Sequence, residues 1–117
     1  MNKYLFMILF GLFILMLASC GQSAGQDENP RIGIRGEIKQ IEVDKIYVEG
    51  TKEVDTDYDK AYVGIAEHTK IIEKGTNKEL NQENLQIGMK VEVIFEGAVA
   101  ESYPVQGTAK EIRILSE

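Results

Sequence analysis

Asp55, Asp57 and Asp59 alternate in the acidic stretch Asp55-Thr56-Asp57-Tyr58-Asp59, a spacing at which carboxylates from one loop can converge on a hard cation such as calcium. Laid on the EF-hand pattern, the run fails at two defining positions. Lys60 stands where the sharp turn needs glycine, and Ala66 stands where a bidentate glutamate should close the cage. What remains is a weak, irregular calcium loop or, more simply, a solvated acidic tip. His68 is the only histidine, so a zinc site would have to take its other ligands from carboxylates, an uncommon set. Ser102 lies in Ala100-Glu101-Ser102-Tyr103, without the Gly-x-Ser-x-Gly elbow that exposes a nucleophile. There is also no glycine-rich phosphate loop of Walker or Rossmann form. No catalytic set and no cofactor site is expected.

Cys20 is the one cysteine, and its position gives it a different chemistry. Leu5 to Ala18 is an uncharged apolar run following Lys3, long enough for the hydrophobic region of an export signal. It falls short of the ~18 residues that a spanning helix needs. The run stops at Leu17-Ala18-Ser19-Cys20-Gly21, which resembles the lipobox of bacterial lipoproteins, where the cysteine thiol takes a diacylglyceryl group before the signal is cut away. The alternative is a plain secretory signal or short anchor in which Cys20 is incidental. Two acyl chains give stable anchoring where one is marginal, so no second membrane element is required. The expected organisation is a signal over residues 1–19, a lipidated Cys20 and flexible tether over 20–30, and one domain over 31–117.

Charge bounds the partners. The chain carries a formal net charge of −6, and loss of residues 1–19 removes one lysine and no acid, leaving the mature side chains at about −7. Such a body is repelled by phosphate backbones, so nucleic acid is not an expected partner. The membrane, through the lipid on Cys20, and an envelope component or protein are. With its only thiol at the anchor, the domain has no disulfide and must hold together by its core.

Gly21 to Pro30 contains no aliphatic residue larger than alanine and cannot offset its own ordering entropy. As a coil it spans roughly 16–19 Å. From Arg31 onward the pattern is short period-2 runs, the signature of half-buried strands. Ile32, Ile34 and Ile38 share one parity while Ile41 and Val43 share the other, so a bulge is expected near Lys39 and Gln40. Val43-Asp44-Lys45 reads as a tight turn into Ile46-Tyr47-Val48. An acidic loop then runs from Glu49 to Lys60, and Ala61 to Ile65 forms a third strand that could resume at Thr69 to Ile72. Asn81 is a candidate N-cap for a single helical turn over Gln82 to Leu85. Met89, Val91, Val93 and Phe95 alternate with Lys90, Glu92, Ile94 and Glu96 in the clearest strand, and Ala109 to Leu115 forms the last, with Ile112 and Ile114 inward.

Three strands, a short helix and two strands is the order of a small five-stranded OB-fold-like barrel, mainly β, closed by a long bent first strand. A small open β-sandwich explains the same alternation. In the barrel, the segment from Phe95 to Ala109 joins strands four and five, which OB-like folds use with the face of strands two and three to hold ligands. Tyr47, Tyr62 and Tyr103 would then be aromatic contacts for a sugar or peptide, with Ser102, Pro104 and Gln106 beside them. The competing reading is structural: Pro104 stiffens the connection, Tyr103 covers the barrel end, and Ser102 and Gln106 satisfy loop backbone groups.

The same segment carries a family resemblance. Leu85-x-x-Gly88-x-x-Val91-x-Val93, Phe95-x-Gly97, Glu101-Ser102-Tyr103-Pro104-x-Gln106, Ala109 and Ile112 resemble the YobA-like lipoproteins and secreted proteins of Gram-positive bacteria, a domain of unknown function. The likeness runs from Gly36 to Leu115 and is strongest in the second half. It implies a lipid-anchored or secreted small β domain with no assigned activity or site residues. The expected function is thus a membrane-anchored extracytoplasmic lipoprotein that is a non-catalytic binding module. The alternatives are a structural or accessory lipoprotein acting through a protein partner, and a calcium-binding envelope protein.

Overall fold

The structure is a computed structural model that describes residues 30–116; the expected signal, Cys20 and most of the expected tether lie outside the described residues. Strand β1 (Ile32–Ile41) sends Ile34 and Ile38 inward with no exposed surface, then bulges between Ile38 and Gln40 where the parity slips. Beyond the bulge the strand leaves the core, so Ile41 is partly exposed and Val43 almost wholly so, rather than forming a second inward parity. A turn with Val43 and Asp44 at its tip is closed by the Glu42 amide donating to the Lys45 carbonyl at 2.8 Å. It leads into β2 (Lys45–Gly50), which buries Ile46 and Val48.

The acidic loop is more ordered than its composition suggests. It contains β3 (Thr56–Tyr58), which runs parallel to the start of β1 through Ile32–Thr56 and Ile34–Tyr58 pairs. The Thr56 hydroxyl lies 2.8 Å from the Glu53 amide that donates to it, and this local bond makes the turn that brings the chain back. Then comes β4 (Lys60–Gly64), with Ala61 and Val63 inward. It does not resume: β5 (Lys70–Glu73) is a separate strand forming a small hairpin with β6 (Lys78–Leu80). The expected helical turn is a 3₁₀ turn at Gln82–Asn84, capped by Asn81, whose side chain accepts from the Glu83 amide while the Asn84 side chain accepts from the Asn81 amide. Strand β7 (Lys90–Phe95) and the long β8 (Val105–Ser116) complete the domain.

Pairing runs β1–β2–β4–β8–β7 and back to β1, a closed five-stranded barrel in which only the β4–β8 contact among these five is parallel. This is the OB-fold-like order, and closure leaves none of the five with a free edge. The interior is aliphatic: Ile34, Ile38, Ile46, Val48, Val63, Val91, Val93 and Ile112 are fully buried. Each such side chain contributes about 1.5–3 kcal/mol. Two glycine pairs let the wall close. A Cβ on Gly36 or Gly50, which face each other across β1 and β2, would run into the opposite backbone. Gly33 and Gly107 flank the Phe95 ring, which fills the space their side chains would take.

Candidate functional site

The outer surface of β2, β4 and β8 carries residues the core does not use. Inward positions alternate with Lys45, Tyr47 and Glu49 on β2, with Lys60, Tyr62 and Gly64 on β4, and with Gln106 and Thr108 on β8. Register aligns them in rows. Tyr47 pairs with Tyr62 and Tyr62 with Gln106, while Lys45 pairs with Gly64 and Gly64 with Thr108. The Tyr47 and Tyr62 rings lie 4.9 Å apart and tilted by 37°, and Lys45 Nζ stands 5.4 Å from the Tyr62 ring centre. The Tyr47 hydroxyl donates to Glu49 at 2.8 Å, and burial together with that carboxylate pushes its pKa up to about 12. Tyr47 therefore stays a neutral hydrogen-bond donor through the ordinary pH range.

The connection between β7 and β8 folds back beside this wall. Ser102 donates to the Pro104 carbonyl at 2.8 Å, the Tyr103–Pro104 peptide is cis, and Ala100 and Gln106 exchange two backbone hydrogen bonds. Tyr103 does not cover the barrel end. It is 68% exposed, its hydroxyl donates to Asp59 at 3.1 Å, and Lys60 Nζ lies 5.5 Å from its ring. Because β8 begins at Val105, Gln106 is a strand residue facing outward rather than a loop residue. The structure thus brings Tyr47, Tyr62, Tyr103 and Gln106 to one face and sets Ser102 and Pro104 at its margin as the residues that shape the loop.

The three aspartates do not converge. Asp55 accepts from Nη1 and Nη2 of Arg35 at 3.1 and 2.7 Å, Asp57 accepts from Arg31 Nε at 2.7 Å, and Asp59 takes the Tyr103 hydroxyl. Alternate residues of an extended chain lie roughly 6.6 Å apart, so neighbouring carboxylates here point to separate partners. Among the described residues no group of three or more acidic, histidine or cysteine side chains is placed to hold a metal ion. His68 Nε2 contacts the Glu96 carboxylate at the surface, far along the chain from Ser102, with which it makes no hydrogen bond.

A second polar cluster, on the β1–β7 wall, was not visible in the sequence. Glu92, on the outward parity of β7, is only 1% exposed because Arg35 Nε donates to it at 2.8 Å and Lys74 Nζ at 3.1 Å. Burial pushes the Glu92 carboxyl up, but the Arg35 and Lys74 hydrogen bonds outweigh it and hold it below the usual glutamate value. The Arg35 fork holds Asp55 down in the same way, and Asp55 and Glu92 raise Arg35 in turn. Here every charged group has found a partner in the chain, and the cluster pins the acidic loop to the barrel. A charged residue at an outward position gives no advance sign of burial when its cover comes from 18 and 57 residues away.

Fold and surface together define a small OB-fold-like barrel with an aromatic outer wall. The chain belongs to a family described as a protein of unknown function, DUF3221, which matches residues 36–116. Comparison with curated proteins and with solved structures gave no match.

Proposed function

We propose that this chain is a non-catalytic binding module, lipid-anchored through Cys20 on the extracytoplasmic face of a bacterial cell membrane, that holds an envelope component on its β2–β4–β8 wall. One observation carries the reading: Tyr47, Tyr62, Tyr103 and Gln106, from three strands and a loop, converge on a face whose aromatics the barrel core does not need. In OB-like barrels the face of strands two and three, with the loop between strands four and five, is where ligands lie; here those strands are β2 and β4 and that loop spans residues 96–104. The Glu101-Ser102-Tyr103-Pro104-x-Gln106 stretch supports a finer placement among YobA-like lipoproteins of Gram-positive bacteria.

A second reading, an accessory lipoprotein acting through a protein partner, is favoured by a different feature. Val43, Ile87 and, less fully, Ile41 expose large apolar side chains near the β1–β2 turn and the segment before β7. Mass measurement of the mature protein tests the anchor, with acylated Cys20 expected as its first residue. Co-sedimentation of the full chain in detergent with isolated envelope fragments tests the wall. Binding that falls at least about tenfold in a Tyr47→Ala/Tyr62→Ala variant supports the first reading. Binding that ignores those tyrosines and falls in Val43→Asp supports the second.

A further inference from the structure

Gly33, Gly36, Gly50, Gly64 and Gly107 all lie within strands, where glycine weakens the ladder and needs a reason. Four of them have one. A Cβ at Gly33 or Gly107 would enter the Phe95 ring, and one at Gly36 or Gly50 would enter the facing backbone. Gly75, Gly88 and Gly97 have φ of +102°, +97° and +66°, which side chains rarely adopt. Gly64 has neither excuse. Its nearest neighbours to a Cβ would be the Gly107 carbonyl and the Thr108 hydroxyl at 3.5 Å, ordinary contact, and its φ is not positive. It also sits on the outer wall, level with Lys45 and Thr108 and two residues from Tyr62. By register, the missing side chain leaves a gap, or notch, in the outward row between Lys45 on β2 and Thr108 on β8. The unbroken register of β4 with β2 and β8 shows no bulge at Gly64; a strand glycine otherwise marks a tight barrel corner or a place where something else approaches the backbone.

The chemistry of the notch limits what that is. A tilted tyrosine pair offers an apolar surface for a ring, and Thr108 and Gln106 offer neutral hydrogen-bonding groups for hydroxyls around it. Two ammonium groups stand over the aromatic rings, Lys45 at Tyr62 and Lys60 at Tyr103. Among the described residues neither makes a salt bridge, which they share with Lys52, Lys70, Lys78, Lys90 and Lys110; what sets these two apart is the aromatic ring beside each ammonium group. Glu49 lies cross-strand from Lys60 on this wall, whereas Lys45 faces Gly64 and has no carboxylate opposite it, so Lys45 is the cation that complements a carboxylate brought by the ligand.

We propose that the wall takes an acidic sugar, a pyranose ring carrying a carboxylate, with the ring stacked on Tyr62 over the Gly64 notch and the carboxylate at Lys45. This rests on the reading of the β2–β4–β8 wall as the ligand face, and adds the ligand class and its seat. The test titrates the full chain in detergent with a galacturonic acid tetramer and, in parallel, with an N-acetylglucosamine tetramer. The chain has no tryptophan and three of its five tyrosines, Tyr47, Tyr62 and Tyr103, lie on the wall, so tyrosine emission responds to binding there, and calorimetry gives the affinity.

The expected result is that the uronate binds at least about tenfold more tightly than the neutral tetramer, a preference that Lys45→Gln removes. Gly64→Val should weaken uronate binding at least about tenfold while its Tm stays level or rises, since valine favours a strand where glycine does not. Should Gly64→Val fail to fold, Gly64→Ala, whose Cβ has room, is expected to keep the parent Tm and still bind less well. Equal or better binding of the neutral tetramer, no uronate binding, or uronate binding unchanged in both glycine variants overturns the inference. If envelope fragments still bind through Tyr47 and Tyr62 in any of those cases, the ligand wall stands and only the acidic sugar and its seat fall. If envelope binding ignores the tyrosines as well, both readings fall.

Discussion

Two polar patches on opposite sides of one barrel use their residues in contrasting ways. On the β1–β7 wall, Arg35, Asp55, Glu92 and Lys74 satisfy one another, and the buried carboxylate is covered by the cations that neutralise it. On the β2–β4–β8 wall, tyrosines stay partly or largely exposed and, among the described residues, the lysines stand over rings without a salt bridge. The first arrangement completes itself within the chain and reads as architecture. The second leaves aromatic surface and charge for a partner to complete. The contrast separates structural from functional polarity without recourse to a catalytic motif: a patch whose hydrogen-bonding capacity is used up inside the fold has little left to offer a ligand.

Breaking the self-contained patch should give the largest stability effect. Glu92→Ala leaves Arg35 and Lys74 without their buried acceptor, and a loss of roughly 2–3 kcal/mol is expected in urea unfolding; the value sits at or below the usual range for a broken buried pair because both cations reach solvent. Envelope binding by the folded fraction should be unchanged. The same patch sets the acid limb of stability. Because Glu92 and Asp55 titrate below their ordinary values in the fold, their contribution is complete above the unfolded carboxylate range near about 4 and is lost as pH falls through the lower folded values. Thermal melts between pH 7 and pH 2 should therefore show a decline on the acid side that Arg35→Met makes shallower.

The exposed patch should behave in the opposite sense. Tyr103→Ala is expected to cost less than about 1 kcal/mol while envelope binding drops; a loss above about 2 kcal/mol with binding intact would instead make Tyr103 a packing residue. The smallest effect is spectroscopic. In an absorbance titration of the tyrosines, Tyr47 should ionise near pH 12, and Glu49→Gln should bring it down by removing the accepting carboxylate. No change in Glu49→Gln would show that the tyrosine hydroxyl turns elsewhere in solution.

Local patterns carried most of the barrel into view from the sequence alone. The parity slip after Ile38 marks the bulge, Asn81 marks the capped turn, and the alternation from Met89 to Phe95 marks β7. Tyr47 and Tyr62 could be nominated for the same reason: once β2 and β4 are placed, parity says which side chains point out, whereas Tyr103 and Gln106 enter as residues of the connection before the last strand and only the structure puts Gln106 on β8. What stayed hidden depends on contacts between distant segments. Nothing near Thr56 announces a parallel pairing with Ile32, and nothing near Glu92 announces Arg35 and Lys74. The meaning of Gly64 was equally hidden, since a glycine's necessity shows only when the atoms around it are known.

The claim that the β2–β4–β8 wall is the ligand face is tested most directly by site-specific photo-cross-linking on intact envelopes. A benzophenone side chain placed at Tyr62 in the full chain should give a discrete adduct with an envelope component, and the same group at exposed Lys90 on β7 should give none. An adduct at Lys90 with none at Tyr62 would contradict the account.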